Sequence, residues 1–364
     1  MSLLPSAPTA QGRRRSGHRP RVVQVLAGSM VCRVGLAALL GAGLLTPPNG
    51  TPAGLPAGFV EAYPVTVLAM DAAGPPYADW ARGGRRFLAF DARGDGRAVE
   101  VVGELATADR IAVLVPGVGS RLSDLDRGLG GVARRALARQ ARDLHAALRR
   151  ADPHARVAVL AWLGYDPPDG VAAAATAASA RRGARALGEQ LRVLAARRPT
   201  ARVTLVGHSY GALVVGLAAV DAPPQVTDVV TLGGVGTGVD RADLLGPARV
   251  WAAEAPNDWI RRVPQLRLPG IGHGVRPGDR SFGAQPLPVA ATGHDGYLLP
   301  GGPTLAAVAE VVLHGATAPR DPVPAAPVAE GGTEAAPAGP VAEHGAGTLT
   351  AGPAAVGSAA GAGR

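Results

Sequence analysis

Residues 202–220 read R-V-T-L-V-G-H-S-Y-G-A-L-V-V-G-L-A-A-V, and their pattern decides the fold. Arg202 to Val206 is a short apolar run of β type, and Ala212 to Val220 is an apolar run of helical type. Between them stands Gly207-His208-Ser209-Tyr210-Gly211. A strand, a G-x-S-x-G turn and a helix together predict a serine on a strained turn, its hydroxyl lifted clear of a sheet. Such a turn leaves little room two positions before and after the serine. Gly207 and Gly211 fit there because they lack a Cβ. The five-residue pattern alone is common; its flanks make it specific.

The same alternation extends in both directions. Upstream, Val65 to Met70 and Arg86 to Asp91 read as strands. Gly94-Asp95-Gly96 is a turn, and Ala98 to Val102 returns, which makes Arg86 to Val102 a hairpin. Arg110 to Val115 is a buried-type strand ending at Pro116, and Val132 to Arg150 has helical periodicity. Arg156 to Leu163 is the next strand, and Val171 to Arg198 reads as one long Ala-rich helix stopped by Pro199. Downstream, Val226 to Leu232 and Arg249 to Ala253 are strands, residues 259–302 a Gly/Pro-rich loop, and Thr304 to His314 a closing helix. Strands alternating with helices predict an α/β fold, a mostly parallel, doubly wound sheet covered on both faces, with an N-terminal hairpin. Only sixteen residues separate the last two strands, too few for a large cap domain. A pocket at this edge is then open unless loop 259–293 covers it.

The chain has 364 residues, 47% of them hydrophobic, enough for one large domain over residues 60–315 plus tails. Aromatics are 4%, so the core is built from Ala, Val and Leu. The formal charge of +9 would suit a nucleic-acid partner, but six of those charges (Arg13, Arg14, Arg15, Arg19, Arg21, Arg33) fall in residues 1–50, which hold no acid. The remainder, near +3, lacks the basic footprint of a DNA or RNA binder. One cysteine, Cys32, excludes a disulfide within the chain. Residues 1–45 combine an Arg-rich start with a twelve-residue apolar run, Val34 to Leu45, the length of a signal-peptide core. A single N-terminal membrane anchor is the alternative, at a cost of about 2.5–3.5 kcal/mol for Arg33 near its middle. The expectation is a secreted or envelope-associated protein, brought near a membrane by that segment. Residues 46–59 read as a linker. Residues 316–364, rich in Ala, Pro and Gly, read as a disordered tail.

A serine hydroxyl needs a base within hydrogen-bond reach, and the base needs an orienting acid. In this arrangement they follow the serine in the order acid, then histidine. Asp258 comes off the end of the strand Arg249 to Ala253, and His294 lies in the loop before the closing helix. Glu254, Asp240 and Asp243 are rival acids, and His273 is the rival base. His208 adjoins the serine, where neighbouring side chains diverge, so it is a poor base. Backbone N–H groups of Tyr210 and of Val118, in the loop Pro116-Gly117-Val118-Gly119-Ser120, are the expected donors to an oxyanion, with Gly117 and Gly119 allowing close approach. Trp162, Tyr165 and Asp166 end a strand at the ligand-binding edge and either line the pocket or pack as ordinary aromatic core. No metal or organic cofactor is implied.

Phe90-Asp91 through Gly94-Asp95-Gly96-Arg97, Thr107-Ala108-Asp109, Val113-Leu114-Val115-Pro116-Gly117 and Gly207-His208-Ser209-Tyr210-Gly211 together resemble an actinobacterial α/β-hydrolase family once catalogued only as a domain of unknown function, DUF1023. The similarity covers roughly residues 60–300. The resemblance implies an α/β-hydrolase fold with Ser209 as nucleophile. The family's later Asn-Asp and His-x-x-Tyr positions look like Asn257-Asp258 and His294 with Tyr297. It supplies no substrate. The expectation is a serine hydrolase acting on an ester or related acyl bond of a small-molecule or lipid-like acyl substrate. A catalytically silent envelope-binding protein and an acyltransferase are the alternatives.

Overall fold

In the computed structural model, residues 59–268 and 271–315 are described. The expected signal or anchor segment, the C-terminal tail and all of the linker except Phe59 lie outside them. Phe59 is buried in the core.

Eight strands form one sheet: β1 (Arg86–Asp91), β2 (Arg97–Gly103), β3 (Arg110–Val115), β4 (Val157–Leu163), β5 (Arg202–His208), β6 (Val226–Leu232), β7 (Arg249–Ala253) and β8 (Gln285–Pro286). Their order is β1-β2-β4-β3-β5-β6-β7-β8. The hairpin β1–β2 is antiparallel, as is β2 against β4, and every pairing from β4 to β8 is parallel. This is the expected α/β-hydrolase fold, and no separate cap domain appears among the described residues. Alternate residues of β3 feed two core layers. Ile111, Val113 and Val115 face one, with α5 (Ala178–Arg197) and α6 (Gly211–Ala219). Ala112 and Leu114 face the other, with α3 (Leu137–Ala151) and α7 (Pro303–His314). Burial on both faces explains why these strands read as continuous apolar runs.

Three elements depart from expectation. Residues 65–70 are not a strand but lie in α1 (Tyr63–Ala73), which precedes α2 (Tyr77–Arg82). Pro64 sits in its first turn, where its fixed φ suits a helix. Thr66 and Met70, one turn apart, are buried, and the Thr66 hydroxyl donates to Tyr63 O and Phe87 O, 2.9 Å each. Val65 and Leu68 are exposed, so this apolar run does not as a whole mark a buried face. The stretch 171–198 is two helices, α4 (Gly170–Ala174) and α5, interrupted at residues 175–177. Tertiary partners take the backbone at this break: Tyr210 Oη donates to Thr176 O (2.7 Å), and the Gly272 N–H donates to Ala175 O (2.8 Å). The helix expected from Val132 begins instead at Leu137, after a short 3₁₀ turn at Ala133–Arg135.

Register aligns the strand ends that carry the site. Val115 pairs with Gly207, His208 with Leu232, and Leu232 with Ala253. The loops leaving β3, β5 and β7 therefore start side by side at one edge of the sheet.

Candidate active site

Ser209 follows β5 with φ +55°, the only non-glycine residue with positive φ among the described residues. A side chain held there costs of order 1–3 kcal/mol, which the surrounding turn must offset. The turn is as tight as the glycines foretold. A Cβ on Gly207 would stand 2.6 Å from Gly211 O, and one on Gly211 would stand 2.3 Å from Val115 O. Gly117 presses on the serine itself, since a Cβ there would lie 2.8 Å from Ser209 Cβ. The loop after β3 thus touches the elbow directly.

His294 and Asp258 are joined. His294 Nδ1 lies 2.9 Å from both Asp258 oxygens, and the carboxylate is fully buried. Burial pushes the Asp258 carboxyl up. Hydrogen bonds from His294, from the Tyr297 hydroxyl (2.5 Å) and from the Ile260 N–H (2.8 Å) outweigh it and hold the group below its ordinary value. An ionised carboxylate only accepts, so Nδ1 carries the proton and Nε2 is the basic nitrogen. Ser209 and His294 line the same cavity. Among the described residues no direct hydrogen bond joins Ser209 Oγ to His294, an open geometry that substrate binding commonly tightens.

Several backbone donors around the serine are already engaged. The Gly119 N–H goes to Pro168 O (3.0 Å), the Ser209 N–H to Leu232 O (2.9 Å) and the Ala212 N–H to Ser209 O (3.1 Å). Among the described residues, the N–H groups of Val118 and Tyr210 find no such acceptor. These two N–H groups are the donors expected from the sequence, and those of Gly117 and Ser120 in the same loop likewise find no such acceptor. Gly117 and Val118 line the cavity, and the loop is braced from behind by Tyr165, whose hydroxyl donates to Pro116 O (2.8 Å).

The other candidates fall elsewhere. Trp162 is buried and stacks on Tyr165 at 5.9 Å, so both belong to the core rather than the cavity wall. Asp166 is exposed and, like Gly119, is not among the cavity-lining residues. Glu254 bonds to Arg276 (3.1 Å), and Asp240 bonds to Arg267 (2.9 Å). Asp243 pairs with Arg241. His273 does line the cavity, with Nε2 donating to Ala174 O (2.7 Å).

Residues that sequence reasoning passed over complete the site. His208, set aside as a base, packs its ring 4.8 Å from that of His294, and its Nε2 lies 2.8 Å from His294 O. The Trp259 ring also packs on His294, centroid to centroid 4.6 Å. Arg135, from the turn before α3, bonds Asp295 at 2.7 Å and ties the histidine loop to the far wall. The only signals for these were the adjacency of Trp259 to Asp258 and of His208 to Ser209. The cavity measures about 460 Å³ and is walled mainly by Val118, Leu129, Val235, Ile260, Val263 and Leu266. Loop 259–273 thus forms much of it.

Fold and site define an α/β protein bearing a serine on a strand–helix elbow beside a histidine–carboxylate pair. A family model described as alpha/beta hydrolase matches residues 91–268. An uncharacterized protein of Mycobacterium tuberculosis is 34% identical over 192 residues, covering 50% of this chain and 71% of that protein. The chain belongs to this alpha/beta hydrolase family. A second uncharacterized M. tuberculosis protein is 33% identical over 180 residues, 48% of this chain and 26% of that protein. Among solved structures, an a/b serine hydrolase without lid from Xanthomonas campestris aligns over 64% of this chain and 93% of its own, at 17% identity and a TM-score of 0.35. A carboxylesterase from Mesorhizobium loti aligns over 62% and 98%, at 16% identity and a TM-score of 0.35.

Proposed function

We propose that the protein is a serine hydrolase that cleaves an ester or related acyl bond. The observation that carries this reading is His294, paired to the buried Asp258 carboxylate and lining one cavity with a serine held at positive φ. Ser209 Oγ attacks the acyl carbonyl while His294 Nε2 takes the hydroxyl proton. Asp258 keeps the imidazole in the tautomer that can accept it and stabilises the imidazolium. The N–H groups of Val118 and Tyr210 receive the oxyanion, a donor of this kind being worth about 2.7–4 kcal/mol of barrier. The proton passes from His294 to the leaving oxygen, and water, deprotonated by the same ring, then releases the acid from Ser209. The resemblance to the DUF1023 family supports the same assignment and leaves the substrate open.

Turnover of p-nitrophenyl butyrate tests it. The wild type should release nitrophenolate, and Ser209→Ala, with an unchanged melting curve, should lose at least a thousandfold in kcat. Equal turnover by the two proteins would refute the assignment.

A further inference from the structure

Five of the ten large apolar side chains that stand exposed among the described residues cluster at the cavity mouth. They are Val171 in α4 (72% exposed) and, in the loop after β7, Trp259 (43%), Leu266 (54%), Leu268 (58%) and Ile271 (55%). All but Leu268 also line the cavity, and Leu268 exchanges both backbone hydrogen bonds with Ile271 (2.9 and 3.1 Å). The rim is built rather than loose. The Gly272 N–H and His273 Nε2 donate to Ala175 O and Ala174 O, binding the loop to the segment that carries Val171.

The border of this patch is cationic. Residues 259–276 hold Arg261, Arg262, Arg267 and Arg276 and no acid. Glu254 pairs with Arg261 and Arg276, and Asp240 pairs with Arg267. Arg262 is exposed, with no carboxylate within pairing distance among the described residues. Arg262 shares the short helical turn of Trp259, and Arg267 lines a second hollow with Leu268 and Ile271. Aliphatic side chains and a tryptophan bordered by these arginines match the strata of a lipid surface: acyl chains, interface and anionic head groups. An apolar patch continuous with a cavity marks an interaction face, and here the cavity wall is aliphatic too.

We propose that this rim docks on an anionic lipid surface, so that an acyl chain passes from the lipid into the cavity without crossing water. The proposal rests on the hydrolase reading for its acyl substrate, but docking itself does not need Ser209. It assigns the substrate class as acyl esters presented by a lipid phase, in preference to dissolved short-chain esters.

The test is vesicle flotation of the full chain as Ser209→Ala, which leaves the lipid intact. Vesicles are phosphatidylcholine with one quarter phosphatidylglycerol, or phosphatidylcholine alone. The expected result is flotation with the anionic vesicles, weaker flotation with the neutral ones, and a blue shift in tryptophan emission that Trp259→Phe removes. Leu268→Asp combined with Arg262→Glu should lower partitioning at least tenfold. In the Ser209 background the same pair should leave butyrate-ester turnover within twofold. The proposal is overturned if Ser209→Ala floats with neither vesicle, or if the double substitution floats as well as its parent. Flotation by a protein whose serine proves unreactive would overturn the hydrolase reading alone, and a reactive serine without flotation would overturn docking alone.

Discussion

His208 Nε2 stands 2.8 Å from the carbonyl oxygen of His294. A carbonyl only accepts, so this nitrogen carries a proton. Burial, with repulsion from His294, pushes the His208 ring down to about 4, and it stays a neutral donor at neutral pH. The residue before Ser209 therefore holds the loop that carries the proposed base. His208→Phe should lower kcat about fivefold or more, the loss of roughly 1 kcal/mol of positioning, with KM little changed. His208→Gln, which keeps an N–H donor, should recover part of that loss. Steady-state kinetics of the three proteins checks it.

The same burial ties stability to pH. The folded value of about 4 lies below the ordinary 6.5, so His208 contributes its full share above 6.5. As pH falls from 6.5 towards 4, the unfolded chain takes up a proton that the folded chain refuses, and stability drops by up to about 3 kcal/mol. Urea unfolding at pH 7 and pH 4.5 should show a smaller drop for His208→Gln than for the wild type. Acid titration of carboxylates is common to both proteins and cancels in that difference.

Gly117 has no spare volume beside the serine. Gly117→Ala would set a methyl 2.8 Å from Ser209 Cβ and push the loop bearing Val118 away from the elbow. Turnover should fall by roughly 10²–10³, the scale of a lost oxyanion donor. Circular dichroism should show an intact sheet in the same variant.

Tyr297 gives a hydroxyl proton to Asp258 and accepts from the Ala255 N–H at 3.0 Å. Tyr297→Phe strands the buried Ala255 donor and strips one partner from the carboxylate. It should cost about 1–3 kcal/mol of stability and reduce kcat. Asp258→Asn should reduce kcat far more, by roughly 10⁴, because the amide no longer fixes the His294 tautomer. Melting curves read beside kcat separate the two effects.

The parts legible in the sequence were those set by local chemistry. β3, β5, β6 and β7 declared themselves as apolar runs because both faces of a parallel sheet are covered. The elbow showed through Gly207 and Gly211, whose absent side chains the turn requires. Asp258 and His294 were placed by chain order, and they meet. The parts not legible depend on distant contacts. α1 carries β-branched residues that suggest a strand, yet it packs as a helix on Thr66 and Met70. The break between α4 and α5 is taken up by Tyr210 and Gly272, far along the chain. Much of the cavity wall comes from the described residues of loop 259–273, whose Gly/Pro content hides the apolar face it presents.

Intact-protein mass spectrometry after exposure to a fluorophosphonate tests the central claim most directly. The wild type should gain one phosphonyl adduct, mapped by peptide sequencing to Ser209. His294→Ala should react far more slowly, and Ser209→Ala not at all. An adduct on another residue, or a folded wild type that gains none, would contradict the account.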